Sequence, residues 1–337
     1  MPPQKKQKVQ PKGEKTSLEY LKETGTKVVA DTGDFEQIAK YEPMDSTTNP
    51  TLILAASKKE EYAKLMDNAI EYGKSHGDTL EEKAENAIDK LLVEFGTEIL
   101  KIVPGKVSTE VDARLSFDKE AMVSKAIDLM KLYDEAGISK ERVYIKLSST
   151  WEGIQAAKEL EEKHGIHTNL TLLFSFVQAV ACAEANVSLV SPFVGRITDY
   201  YKSKTGKDYP PEDDPGLKSV ERIYYYYKKH SYDTVIMAAS MRNIGQVKQL
   251  AGIDNLTLSL SVLDSLLNSH ESIEKRLVPE DAKEKGDEKE TFINDESKFR
   301  YQLNDDAMAT DKLADGIRKF AADAITLTDL VKERLSS

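Results

Sequence analysis

Eight short runs of β-branched and apolar residues recur along the chain, and most are followed by a longer segment with the periodicity of a helix. Strands that alternate with helices pair in parallel, because each crossover returns the chain to the same end of the sheet. Eight such units predict an α/β fold, a (β/α)8 TIM barrel. A doubly wound open sheet is the alternative, and the absence of a dinucleotide fingerprint or P-loop from the sequence disfavours it. The predicted strands are residues 27–31, 46–50, 106–112, 143–148, 168–174, 189–194, 234–240 and 256–261.

Helices are predicted in most of the segments between the strands. Residues 57–73, 80–100 and 150–164 all show helical periodicity. Ser149 and Glu152 have the spacing of a capping box ahead of the third of these segments, so we expect the helix to start there.

Additional helices are expected after the eighth strand. The charged stretch 279–290 is interpreted as a solvated loop. Helical periodicity resumes over 305–334, with an apolar stripe that predicts packing on the barrel rather than a separate domain. We therefore predict one catalytic domain over residues 17–337 that includes these C-terminal helices. The stripe consists of Met308, Leu313, Ile317 and Phe320.

Composition excludes several classes of protein. Among 337 residues, 58 acidic side chains outnumber 47 basic ones, which gives a net charge of −11 and argues against binding to nucleic acid or to an anionic membrane. No apolar stretch reaches the roughly 18 residues that a spanning helix needs. The single cysteine, Cys182, rules out a disulfide framework; its apolar surroundings predict a buried, inert thiol.

The first 16 residues form a basic segment that differs from the rest of the chain. It is rich in proline, lysine and glutamine, has no apolar core of a secretory signal, and is predicted to be a disordered tail. A solvated tail on a cytoplasmic protein is the favoured interpretation, and a nuclear import signal is the alternative.

Lys146 is the most informative polar residue, because it lies inside the otherwise apolar strand 143–148. Its ammonium would be costly to desolvate there. One interpretation is that the side chain reaches solvent from the end of the sheet or pairs with a carboxylate. The other is that burial keeps the amine partly neutral, so that it attacks a carbonyl carbon.

Other predicted strand ends favour the second interpretation. Catalytic groups of a TIM barrel lie at the carboxyl ends of its strands, where this sequence places acids, amides, hydroxyls and arginines. An amine nucleophile, carboxylates for proton transfer and polar groups for a hydroxylated substrate suit Schiff-base chemistry, and arginines suit a phosphate. The residues concerned are Asp31, Asn49, Glu110, Asp112, Asn169, Thr171, Ser191, Arg196, Ser240 and Arg242, and Phe193 shares a face of the sixth strand with Ser191.

Metal catalysis is the competing account, and the histidines disfavour it. Only His164 and His167 are close in sequence, and they precede a strand, at the wrong end of the barrel for catalysis. No metal and no cofactor is therefore expected.

Several of these segments resemble the transaldolase family of the pentose phosphate pathway. The resemblance extends from about residue 26 to the end of the chain and implies an α/β barrel related to class I aldolases, acting as a homodimer on sugar phosphates without a cofactor. The motifs that carry it are VVADTG at 28–33, TTNP at 47–50, VSTEVDAR at 107–114, IKL at 145–147, NLTLLFS at 169–175, SPFVGR at 191–196, SMRN at 240–243 and DKLADGI at 311–317.

The resemblance also implies a role for each candidate residue. Lys146 would form the Schiff base with a ketose phosphate, with Glu110 and a water placed by Thr171 moving protons, and Asp31 would take the proton from the C4 hydroxyl. The dihydroxyacetone unit left on Lys146 would pass to an aldose phosphate. The hydroxyls of that unit would be held by Asn49, Asn169 and Ser191, the phosphate would be bound by Arg196, Ser240 and Arg242, and Phe193 would wall the cavity.

Two alternatives to a transferase remain at this point. A lyase of the same family would split fructose 6-phosphate and release dihydroxyacetone. A non-catalytic interaction protein that docks through its basic tail is disfavoured by the number of polar groups at the strand ends.

Overall fold

The computed structural model describes residues 14–337, and within them eight parallel strands close into one barrel in chain order. β1 pairs with both β2 and β8, which closes the ring. The predicted TIM barrel is therefore confirmed. Residues 1–13 of the predicted basic tail lie outside the described residues. The strands are β1 Lys27–Asp31, β2 Asp45–Thr47, β3 Val107–Glu110, β4 Val143–Ser148, β5 Thr168–Leu173, β6 Leu189–Pro192, β7 Val235–Ala238 and β8 Asn255–Leu258.

Most strands end earlier than the sequence indicated. β2 stops at Thr47 because Asn49 caps the next helix and Pro50 occupies its first position, where a missing N–H costs nothing. β3 stops at Glu110, and Asp112 caps a short 3-10 turn instead of extending the strand. Some of the polar residues predicted at the strand ends thus lie beyond the strands, namely Asn49, Asp112, Ser240 and Arg242, whereas Asp31, Glu110, Asn169, Thr171 and Ser191 lie within them.

Fourteen α-helices accompany the strands in the described part of the chain. They are α1 Ser17–Glu23, α2 Pro50–Ser57, α3 Ala63–Ser75, α4 Leu80–Leu100, α5 Lys119–Glu135, α6 Trp151–Glu159, α7 Phe176–Glu184, α8 Gly195–Thr205, α9 Pro215–Lys229, α10 Ile244–Gln249, α11 Leu260–Asn268, α12 Ala282–Lys285, α13 Glu296–Asp305 and α14 Ala307–Ser336.

One of the three helix predictions matches the structure at both ends. The predicted bounds 80–100 coincide with α4, which Thr79 caps. The helix predicted over residues 57–73 is wrong at its start, because α2 ends at Ser57 and α3 begins at Ala63.

The capping box predicted at Ser149 is also wrong by one residue. Thr150 is the N-cap of α6 and accepts from the Gly153 N–H. Ser149 instead donates its hydroxyl to the Thr171 carbonyl at 2.7 Å, and Glu152 pairs with Arg300.

The C-terminal third differs from the sequence interpretation in two places. The stretch 279–290 is not a plain solvated loop: it contains α12, buries Ala282, and accepts hydrogen bonds from Lys229 and His230. The helix expected over 305–334 is α14, which begins at Ala307 because Asp306 adopts an extended conformation and caps it, and a separate helix that was not predicted, α13, precedes it.

Helix α14 packs over the strand ends through its apolar stripe. The four stripe residues are buried in one cluster with Leu172, Phe174, Phe193 and Ala239. The approach is close: a Cβ on Gly316 would lie 2.6 Å from Leu172 Cδ2. Leu172 in turn has a left-handed backbone, with φ of 53°, at an irregularity in the register of β5. α14 therefore covers one side of the carboxyl end of the barrel.

No helix among the described residues has the length and apolarity to cross a membrane.

Gly96 of α4 provides a test of how the barrel is supported behind β3. A Cβ at this position would lie 1.8 Å from the Tyr133 hydroxyl, which bonds Thr109 at 2.5 Å. We expect Gly96→Ala to lower stability by ~1–3 kcal/mol, as overpacking of a core does. Thermal and denaturant unfolding measure the change.

Tyr133→Phe removes the nearest obstructing atom and serves as the partner variant. The Gly96→Ala, Tyr133→Phe double variant should be less destabilised than the sum of the two single variants. Additive losses would contradict the steric explanation.

Candidate active site

Nine of the eleven residues to which the family resemblance gives a role line one cavity at the carboxyl ends of the strands. This active-site cavity has a volume of about 170 Å³. The other two, Glu110 and Asn169, lie directly behind residues that line it. The structure therefore brings the predicted residues together, although their chemical roles remain predictions. The nine are Asp31, Asn49, Lys146, Thr171, Ser191, Phe193, Arg196, Ser240 and Arg242.

Lys146 and Glu110 form a buried pair across neighbouring strands. The register of β3 and β4 places them side by side, and Lys146 Nζ lies 3.4 Å from Glu110 Oε2. Each residue is only 5% exposed. Lys146 Nζ also donates to the Thr48 carbonyl at 3.2 Å. The amine is thus fixed at the wall of the cavity.

The Glu110 carboxyl is placed in an environment that favours its neutral form. Burial raises its pKa from 4.5 to about 7, while Lys146 and Arg196 oppose the shift and Asp31 adds to it. Neither carboxyl oxygen has a hydrogen-bond partner among the described residues. A carboxyl that titrates near neutral pH is able both to give and to take a proton.

Asp31 lies at the end of β1 and is positioned by two threonines. Thr47 donates its hydroxyl to Asp31 Oδ1 at 2.7 Å, and Thr47 and Thr257 hydroxyls are 2.6 Å apart. Both threonines line the cavity, and sequence analysis missed them. Thr47 is two residues before Asn49, so the alternation of a strand could have indicated it.

A buried chain of hydrogen bonds runs behind the cavity wall. Ser191 donates its hydroxyl to Asn169 Oδ1 at 2.7 Å, and Asn169 donates to the Ser108 hydroxyl at 3.1 Å. Next to them, the Thr171 hydroxyl is buried without a partner among the described residues. A buried hydroxyl without a partner is well suited to hold a water or a substrate oxygen.

The two candidate arginines lie in different environments. The Arg196 guanidinium is stacked on Phe193 and Phe320, with its carbon 4.9 and 5.5 Å from the ring centroids. Burial, and next the charge of Arg242, lower its pKa. Its Nη1 atom has no partner among the described residues. Arg242 is half-exposed and paired with Asp199, with Nη2 to Oδ2 at 2.7 Å.

The loop after β7 is held against the loop after β6. Ser240 has a left-handed backbone, with φ of 63°, and its hydroxyl accepts from the Arg196 N–H at 3.2 Å. Its carbonyl accepts from the Gly195 N–H at 2.8 Å, an approach that only glycine permits because a Cβ would lie 2.2 Å from that oxygen. Gln246 fixes Arg242 by accepting from its backbone N–H at 2.7 Å.

Some polar residues singled out from the sequence lie away from the cavity. Asp112, expected on the same face as Glu110, turns into the following loop and pairs with Arg114 at 2.6 Å. His167 lies at the amino end of the barrel, with Nε2 2.7 Å from Glu141. Cys182 is buried, and burial raises the pKa of its thiol. Among residues 14–337, no three His, Cys, Asp or Glu side chains form an arrangement that could hold a metal ion.

Comparison with known proteins gives a consistent result over nearly the whole chain. The family described as Transaldolase/Fructose-6-phosphate aldolase matches residues 28–331. The chain is 65% identical to Transaldolase NQM1 of Saccharomyces cerevisiae, over 99% of each sequence. It is 64% identical to Transaldolase of Kluyveromyces lactis, over 95% of this chain and 96% of the relative. It is 57% identical to Transaldolase of Homo sapiens, over 95% of this chain and 94% of the relative.

The paired geometry predicts the titration of Glu110. Difference infrared spectroscopy should show an absorption band from the protonated Glu110 carboxyl. We expect this band to disappear as the pH rises, with a pKa of about 7. Lys146→Met removes the cation that lowers this pKa, so the transition should move to higher pH. Lys101→Met, which removes an exposed lysine, should leave it unchanged. A transition near 4.5 in the unmodified protein would contradict the assigned environment.

The same shift has a defined effect on stability. Because the folded-state pKa exceeds the ordinary value of 4.5, this carboxyl stabilises the fold fully below pH 4.5 and loses that contribution as the pH rises through about 7. Glu110→Gln should remove this part of the pH dependence of thermal unfolding.

Proposed function

The chain belongs to the transaldolase/fructose-6-phosphate aldolase family, and we propose that it is a transaldolase that transfers a dihydroxyacetone unit through a Schiff base on Lys146. The observation that carries the mechanism is the buried Lys146 amine, which lies beside Glu110 at the wall of a polar cavity. The donor is sedoheptulose 7-phosphate or fructose 6-phosphate, and the acceptor is glyceraldehyde 3-phosphate or erythrose 4-phosphate.

The first step joins Lys146 to the C2 carbonyl of the ketose. The neutral amine adds to C2 to give a carbinolamine, and loss of the C2 hydroxyl as water gives the protonated imine. Glu110 is the group that gives and takes these protons, supported by its pKa of about 7 and its position 3.4 Å from Nζ. The unpartnered Thr171 hydroxyl holds the water that relays them.

The second step breaks the bond between C3 and C4. Asp31 takes the proton of the C4 hydroxyl, the C4 carbonyl forms, and the electron pair of the broken bond moves into the imine to give an enamine. Thr47 supports this role by holding the carboxylate at the cavity wall. Asn49 and Ser191 bind the hydroxyls of the retained unit, with Asn169 behind Ser191. The aldose phosphate leaves, the acceptor enters, and the steps reverse.

Phosphate binding is assigned to Arg196, Ser240 and Arg242. The supporting observation is that two cations, one in the first turn of α8 and one in the loop after β7, line the same cavity, and that Arg196 Nη1 has no partner among residues 14–337. Paired cations suit a phosphate dianion. Phe193 forms the adjacent wall and, with α14, limits the access of water to the enamine.

We also propose that the protein is a cytoplasmic homodimer, on the strength of the family resemblance. The basic N-terminal segment is proposed to be a solvated tail, with nuclear import as its alternative role. Removing residues 1–13 and comparing catalysis, sedimentation and cellular distribution tests both.

The decisive experiment is borohydride reduction with fructose 6-phosphate, followed by intact mass and peptide mapping. A dihydroxyacetone-sized adduct on Lys146 is expected. Lys146→Met should lose both the adduct and turnover while keeping the fold, because Glu110 is able to remain protonated beside an apolar side chain. Normal turnover by this variant would refute the nucleophile.

Asp31→Ala is the control that separates the two steps. It should still form an adduct, now of the whole ketose phosphate, because the imine forms but C3–C4 cleavage is lost. The lyase alternative is tested by the same protein without acceptor: rapid release of free dihydroxyacetone would favour a lyase.

Substitutions of Arg242 and of its partner Asp199 test the phosphate site, because they should change the binding of phosphorylated sugars in opposite directions. Arg242→Ala should raise the KM for phosphorylated sugars and leave unphosphorylated ones almost unchanged. Asp199→Asn should do the reverse and strengthen inhibition by inorganic phosphate, because it frees the Arg242 guanidinium. Asp208→Asn, which breaks an exposed ion pair with Lys202, is the matched control. Equal losses for both substrate types in Arg242→Ala would reject the phosphate contact.

A further inference from the structure

A second, larger cavity is lined by Glu110 and adjoins the active-site cavity at Asn49, which lines both. This rear cavity has a volume of about 440 Å³ and lies between α2, α4, the segment that follows β3, and α14. Its lining includes an exposed ion pair between Glu81 and Lys332, the apolar side chains of Ile88 and Leu327, and the buried Glu110. The cavity therefore runs from the protein surface to the carboxyl that adjoins Lys146.

Glu110 and Lys146 divide between the two cavities. Lys146 lines the active-site cavity, whereas Glu110 lines the rear cavity. Both Glu110 oxygens are buried and have no hydrogen-bond partner among the described residues. Buried polar atoms without a protein partner are normally bonded to water, and a cavity needs only ~10–15 Å³ to hold one molecule. The rear cavity supplies space for a water that could bond the Glu110 oxygens, which have an ion-pair partner in Lys146 but no hydrogen-bond partner in the described part of the chain.

The lining of the rear cavity combines apolar side chains with polar groups that can bind water. The polar groups include the Asp89–Lys125 pair, with Nζ and Oδ2 2.7 Å apart. Burial raises the pKa of Asp89 to about 6. Water in the rear cavity therefore has polar partners in its lining as well as at Glu110.

Imine formation makes such a route useful. The step forms the C2–N double bond from the nitrogen lone pair, breaks the C2–O bond, and moves the Glu110 proton to the departing hydroxyl, which leaves as water. During this step the sugar phosphate is joined to Lys146, which lines the active-site cavity. The product water is released next to Glu110, on the side of the rear cavity.

We propose that the rear cavity is the route by which water leaves and reaches the Lys146–Glu110 pair during imine formation and hydrolysis. This inference rests on the proposed Schiff-base function. It separates the path of water from the path of the sugar, which enters through the active-site cavity.

Oxygen exchange tests the route. In water labelled with ¹⁸O, reversible imine formation replaces the C2 oxygen of fructose 6-phosphate only if the released water escapes before the step reverses. We would measure ¹⁸O at C2 by mass spectrometry, subtract the exchange seen with Lys146→Met, and divide by the initial rate of adduct formation from borohydride trapping. This ratio reports the movement of water independently of the chemistry.

Two substitutions fill the rear cavity from different helices. Ala324→Leu on α14 and Ile88→Phe on α4 are both expected to lower the ratio several-fold while an adduct still forms. Ala322→Leu adds the same side chain at an exposed position of α14 and should keep the unmodified ratio. Two variants guard against the failure of one to fold.

The outcomes separate the two proposals. Normal ratios in both folded variants would overturn the water route and show that water leaves through the active-site cavity. An absence of any adduct in the unmodified protein would overturn the Schiff-base function and the route together. Reduced ratios in both, with a normal ratio in Ala322→Leu, would support the route.

Discussion

Closure of the parallel sheet is the constraint on which the other features depend. Pairing of β1 with β8 makes every strand an interior one and directs all eight carboxyl ends to one mouth. Residues from distant parts of the sequence, such as Asp31 and Ser240, then line the same 170 Å³ cavity. The register of neighbouring strands also places Glu110 beside Lys146. An open sheet would spread these groups along an edge.

The C-terminal helix completes what the barrel leaves open. α14 contributes Phe320 to the cavity and to the support of Arg196, and its Gly316 lies against the irregular turn of β5 at Leu172. The same helix lines the rear cavity through Ala324 and Leu327. One helix thus borders both cavities, and the lysine and the carboxyl lie between them.

The sequence was informative where local chemistry is strong and uninformative where tertiary contacts decide. Alternation of strands and helices predicted the barrel, and a lysine within an apolar strand identified the central residue of the site. Strand ends were overestimated because Asn49 and Asp112 were treated as strand residues, whereas their side chains cap the next turn. Three residues were not predicted to belong to the site, because their proximity to it depends on how β8, α14 and α8 pack. They are Thr257, Phe320 and Asp199. The rear cavity had no signal in the sequence at all.

The helix cap at Asn49 and the buried hydrogen bond of Ser191 also determine which groups in the cavity donate and which accept hydrogen bonds. The Asn49 side-chain oxygen already accepts from the Leu52 N–H in the first turn of α2, whereas its two amide hydrogens have not been used in this cap and can be donated to a ligand. Ser191 has committed its single proton to Asn169, so it offers a ligand only oxygen lone pairs. A bound polyol therefore meets a donor on one strand end and an acceptor on another. The hydrogen-bond polarity of the site, as well as its shape, distinguishes one orientation of the sugar from its reverse.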